Sequence, residues 1–146
     1  MTDETPAVAG PVRYHNLSTM LRRVAERHGD RTAIICGDTS WSYRRLDKLA
    51  NRLASGLAAR GILKGDRVAV LARNSHAFMA LRFAVARLGA VLVPINFRLS
   101  PPEVAYIVKH SGCRVLYVDP EISDSLHSVE CEHKFVLGTD SDLYAE

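Results

Sequence analysis

Two short segments combine residue types suited to holding a phosphate. Arg73-Asn74-Ser75 and Asn96-Phe97-Arg98-Leu99-Ser100 each place one arginine beside residues that cap helices. A guanidinium makes forked contacts with phosphate oxygens. A helix start adds free amide protons and the positive end of the helix dipole. The same residues also serve as plain caps and loop braces, and spacing alone leaves both roles open. Ser75 and His76 are adjacent, so they face different sides of a helix and make no nucleophile–base pair. His127, Cys131 and His133 raise the question of a metal site, but H-x3-C-x-H matches no common zinc spacing. The nicotinamide, P-loop and hydrolase-elbow glycine patterns are all absent. No set of residues amounts to a catalytic constellation.

The elements that must position these segments follow from periodicity. Asn16 or Ser18 caps a first helix with Leu17, Met20, Leu21, Val24 and Ala25 on one face, ended by Gly29-Asp30. Thr32 to Cys36 and Thr39 to Trp41 flank Gly37-Asp38, which predicts a hairpin. Ser42 caps a second helix with a stripe of Leu46, Leu49, Ala50, Leu53, Leu57 and Ala58, ended by Gly61. The pattern then becomes strand, helix, strand, helix, strand. Short Val-rich strands are expected at Arg67 to Ala72, Ala90 to Ile95 and Arg114 to Val118. Helices are expected at Ser75 to Leu88 and Pro101 to His110, with Gly89 and Gly112 closing them. This alternation implies an α/β fold: a β-hairpin plus a βαβαβ parallel sheet covered by helices. Both arginine segments then follow the carboxyl end of a parallel strand, where ligands of such sheets bind. Residues 119–133 are polar and acidic, and Lys134 to Gly138 fits one more strand. The expected organisation is a flexible leader at 1–15, one partial domain at 16–138 and an unstructured end at 139–146.

Composition bounds the remaining classes. With 146 residues, 47% apolar and 24% charged, the chain has the size and make-up of one globular domain. No stretch approaches the ~20 apolar residues of a membrane span, and no signal peptide is evident, so a cytoplasmic protein is the default. Three widely spaced cysteines suit a reducing compartment. The net charge of +3 hides an asymmetry: residues 119–146 hold eight acids and one base, leaving 18 bases against 8 acids before them. A basic body suits a ligand carrying several phosphates, or is a solvated surface. Nucleic acid is disfavoured, because there are four lysines and no recognition motif.

Five blocks, in order, resemble the N-terminal region of the adenylate-forming (AMP-binding) enzymes. They are Trp41-Ser42-Tyr43-Arg44-Arg45-Leu46, Asn51-Arg52-Leu53-Ala54, Gly65-Asp66-Arg67-Val68-Ala69-Val70 leading to Arg73-Asn74-Ser75, Ala86-Arg87-Leu88-Gly89-Ala90, and Val93-Pro94-Ile95-Asn96-Phe97-Arg98-Leu99 running to Glu103 and on through Ser111-Gly112. The N-x-R-L block is most similar to the acyl- and aryl-CoA ligase branch, of the acyl-CoA synthetase type. That resemblance implies a two-step reaction. A carboxylic or fatty acid attacks the α-phosphate of ATP, with Mg2+ screening charge, and CoA thiol then displaces AMP to give a thioester. It also implies that Arg98 lies near the CoA phosphates. The family's Ser/Thr/Gly-rich phosphate loop, its magnesium-holding glutamate motif and its catalytic lysine have no counterpart here, so no catalytic residue and no metal ligand is expected, nor is productive ATP binding. The expected function is therefore the N-terminal portion of an acyl-CoA synthetase, inactive alone. The alternative is a stand-alone module that binds CoA or a partner. A sheet lacking later strands would also leave an edge and an apolar face open to self-association.

Overall fold

In a computed structural model, which describes residues 16–137, the chain forms four α-helices, six strands and one 3-10 helix. Helix α1 (Leu17–His28) starts at Asn16, whose side chain accepts the Thr19 amide proton. Strands β1 (Thr32–Cys36) and β2 (Thr39–Ser42) pair antiparallel across Gly37, whose φ of 57° the turn requires. Ser42 caps α2 (Tyr43–Ala59) by accepting from the Arg45 amide. Arg60 occupies the C-cap and Gly61, with φ 75°, follows it, so the helix closes one residue before the expected stop at Gly61.

The remaining strands are β3 (Arg67–Leu71), β4 (Val91–Ile95), β5 (Cys113–Val118) and β6 (His133–Val136). They form one parallel sheet in the order β4-β3-β5-β6. Helices α3 (His76–Leu88) and α4 (Pro101–Ser111) make the crossovers. The chain steps from β3 outward to β4, then returns past β3 to β5. Crossovers of one hand therefore place α3 and α4 on opposite faces. Side-chain alternation agrees. Val68, Val70, Val115 and Tyr117 join α1, α2 and α3 in one core, where Leu57, Leu81 and Trp41 are fully buried. Ala69, Leu71, Leu116 and Val118 join Val104 and Val108 of α4 in the other.

The acidic stretch after β5 is ordered. Asp119 starts a 3-10 helix (Pro120–Leu126), and Leu126 and Val129 seal the second core. The central strands are thus covered on both faces. On the edge strands, Val91 of β4 and Val136 of β6 are about half exposed. The expected leader at 1–15 and the end at 139–146 lie outside the described residues.

A candidate phosphate-binding rim at the carboxyl edge of the sheet

Sheet order fixes where a ligand would sit. The chain reverses direction around β3, and in open parallel sheets ligands bind beyond the carboxyl ends of the strands at such a switch point. Both arginine segments reach that end. After Leu71, the chain runs through Arg73 and Asn74 to Ser75, whose hydroxyl accepts the Phe78 amide proton and caps α3. Asn74 and Ser75 therefore lead into a helix, and Ser75 acts as a cap. His76 packs edge-on against Trp41, at 4.5 Å between ring centroids.

The second loop has a tighter local logic. The Asn96 side chain accepts the Arg98 amide proton at 3.0 Å, and its carbonyl accepts from Leu99 at 3.2 Å. An asparagine turn of this kind bends the chain sharply and sends Phe97 and Arg98 out over the rim. Glu103 then accepts from both the amide and the hydroxyl of Ser100, at 2.8 and 2.6 Å. Those bonds hold the Glu103 carboxyl below its usual range, the hydroxyl contributing most. The Ser-x-x-Glu spacing was a readable helix-start signal.

Phe97 brings the two arginines together. The guanidiniums of Arg73 and Arg98 each lie 5.8 Å from its ring centroid. Their electrostatics differ. Arg73 is ion-paired with Glu121 at 2.6 Å, and its amide donates to Asp119 at 3.4 Å. Arg98 has no carboxylate within ion-pair distance among the described residues. Sequence reasoning did not find Asp119 and Glu121 as rim residues, because they come 46 or more positions after Arg73 and only the β3–β5 pairing joins them.

The remaining sequence candidates separate. His127 lies 4.0 Å from Asp124, His133 lies 3.4 Å from Glu132, and the Cys131 thiol points to the Cys113 carbonyl at 3.6 Å. Burial pushes both of those thiols above their ordinary range. Among the described residues, no three His, Cys, Asp or Glu side chains converge as they would around a metal ion. None of the described helices is long and apolar enough to cross a membrane.

The sequence model of the AMP-binding enzyme family matches residues 21–144. The chain belongs to that family. A 3-hydroxybenzoate–CoA/4-hydroxybenzoate–CoA ligase of Thauera aromatica is 42% identical over 100 residues, covering 68% of this chain and 19% of that protein. The long-chain-fatty-acid–CoA ligase FadD13 of Mycobacterium tuberculosis is 51% identical over 79 residues, covering 54% and 16%. The solved N-terminal domain of FACL13 from Mycobacterium tuberculosis superposes with a TM-score of 0.82 at 33% identity, covering 90% of this chain and 36% of that one. The α/β fold expected from the strand–helix alternation is thus that of the N-terminal domain of an AMP-binding enzyme. The chain spans under a quarter of the length of the curated relatives it matches.

Proposed function

We propose that this chain is the N-terminal portion of an acyl-CoA synthetase, and that Arg98 contacts a CoA phosphate. The complete enzyme would join a carboxylic acid to AMP at the expense of ATP, then pass the acyl group to the CoA thiol. The chemical logic is activation. A carboxylate is a poor electrophile, while its mixed anhydride with AMP has a good leaving group. The relatives' names support the ligase class. The observation that carries the residue assignment is the Arg98 guanidinium, set on Phe97 at the carboxyl rim without a carboxylate partner among the described residues.

Among the described residues no group of three or more His, Cys, Asp or Glu side chains comes together, and no metal-assisted step is assigned to them. Their part is scaffolding and binding: β3, β4 and β5 hold the rim, Asn96 shapes the loop, and Arg98 offers a forked donor. ATP–pyrophosphate exchange should be undetectable with the 146-residue protein alone, and robust exchange would contradict the proposal. In a longer chain with ligase activity, Arg98→Ala should raise KM for CoA while leaving acyl-adenylate formation intact. An equal loss in both half-reactions would remove the CoA assignment. The open edges of β4 and β6 also predict self-association of the isolated chain, which a concentration-independent monomer in analytical ultracentrifugation would refute.

A further inference from the structure

Two cysteines far apart in sequence enter the parallel sheet side by side. Cys113 begins β5, and Cys131 lies two residues before the start of β6. The two strands run parallel with Val115 opposite His133, so two residues back along each chain Cys113 comes opposite Cys131. Neighbouring strands lie about 4.8 Å apart, within the span of about 4.4–6.8 Å between Cα atoms that a disulfide bridges. The side chains share a face as well. A register shift sets Cys113 and Val115 against consecutive residues of β3, Arg67 and Val68. That bulge breaks the alternation that would send Cys113 with Val115 into the first core. Cys113 packs instead against the second core, as Cys131 does. The Cys131 thiol donates to the Cys113 carbonyl at 3.6 Å, and the Cys113 sulfur meets the Ser111 hydroxyl at 3.0 Å. Both residues are partly buried and within reach of a small reagent. Cys36 lies apart, in β1 of the two-stranded sheet.

We propose that Cys113 and Cys131 are a modification site for peroxides, which join them in a disulfide across the entrance to β5 and β6. One thiolate attacks a peroxide oxygen, giving a sulfenic acid and, from hydrogen peroxide, one water. The second thiolate attacks that sulfur, the S–S bond forms, and the hydroxide that leaves takes up a proton as a second water. Two thiols are oxidised and one peroxide is reduced. Burial pushes both thiols above their ordinary range, which keeps them protonated and reduced until such an oxidant is present. The backbone amides of His133 and Glu132 face the Cys131 sulfur and favour its thiolate. The new bond closes the segment 114–130. That segment carries Leu126 and Val129, which seal the second core, and Asp119 and Glu121, which hold Arg73 at the rim. Closing it restricts the unfolded chain and so favours the folded one.

The test treats the 146-residue protein with hydrogen peroxide at mildly alkaline pH, counts free thiols in denaturant and maps the peptides without reductant. Wild type, Cys36→Ser, Cys113→Ser and Cys131→Ser are compared, with circular dichroism as the check on folding. Wild type should fall from three free thiols to one, with Cys113 and Cys131 in one joined peptide pair and no covalent dimer on a non-reducing gel. Dithiothreitol should restore the lost thiols. Cys36→Ser should form the same bridge, while Cys113→Ser and Cys131→Ser should form no bridge within the chain. Oxidised wild type should melt at a higher temperature than reduced wild type, and that shift should vanish in Cys131→Ser. The wild-type peptide map needs no variant to fold. Retention of all three thiols, a bridge through Cys36, covalent dimers alone, or sulfinic and sulfonic acids without an S–S bond would overturn the proposal.

Discussion

Arginines at the two ends of the parallel sheet do opposite work. At the amino end, Arg67 donates to the carbonyls of Ser111 and Gly112 at 2.8 and 2.9 Å, tying β3 to the close of α4. Arg114 donates to the Gly61 carbonyl at 2.7 Å, to Asp66 at 2.9 Å and to Glu132 at 2.7 Å, tying β5 to the turn before β3 and to the entry of β6. Every one of these donors meets a backbone oxygen or a carboxylate. At the carboxyl end, Arg98 meets the face of an aromatic ring. Both amino-end arginines therefore brace, whereas at the carboxyl end Arg73 is paired with Glu121 and only Arg98 lacks a carboxylate partner among the described residues. What decides is whether the neighbouring chain supplies acceptors.

That contrast can be broken from the amino end first. Arg67→Met removes three charge-assisted bonds, to the carbonyls of Ser111, Gly65 and Gly112, which should lower the unfolding free energy by about 2 kcal/mol. Denaturant melts check this, and an unchanged midpoint would mean that water replaces the brace at no cost. Gly112→Ala should cost about 1 kcal/mol, because the residue sits at φ 64° and a Cβ would stand 2.7 Å from the Arg67 guanidinium. The two substitutions should be less than additive when combined, since both displace the same side chain. Full additivity would show that the glycine matters for its backbone alone.

A smaller effect depends on pH. The Leu63 amide and then Arg114 hold the Asp66 carboxyl below its ordinary range, and Arg114 does the same to Glu132. Both groups have folded-state values depressed below their unfolded ones. Their contribution is thus present above the unfolded carboxylate value, about 4, and is lost as pH falls through the folded values. Arg114→Leu should flatten the acid limb of the stability profile. Parallel profiles for variant and wild type would contradict the brace. At high pH, burial pushes the Tyr117 phenol up to about 12, so its contribution is present below pH 10 and is lost as pH rises toward 12. Absorbance titration should find one tyrosine ionising late, and that late step should vanish in Tyr117→Phe.

Much of this fold was legible because its signals are local. Ser42, Ser75 and Asn16 cap the helices they precede, and Gly89 and Gly112 close α3 and α4 in left-handed conformations. The segment from 119 to 133 was not legible. Its two buried anchors, Leu126 and Val129, sit among acids and follow no helical or strand period. The rim was legible only in part. Arg98 and its loop could be placed at a strand end, but the Arg73–Glu121 pair spans 48 positions and depends on strand register. A long-range pair of this kind leaves no trace in spacing.

At the carboxyl end the expected effects on stability are the smallest. Arg98→Ala should leave the unfolding free energy within about 0.5 kcal/mol, because no acceptor among the described residues loses a bond. The same substitution gives the most direct test of the account. Calorimetric titration with CoA should show binding to the wild-type chain and roughly tenfold weaker binding to Arg98→Ala, as expected for one charge-assisted contact, with both proteins melting alike. Equal affinities, or no heat with either protein, would contradict the claim that this rim is built to receive a phosphate.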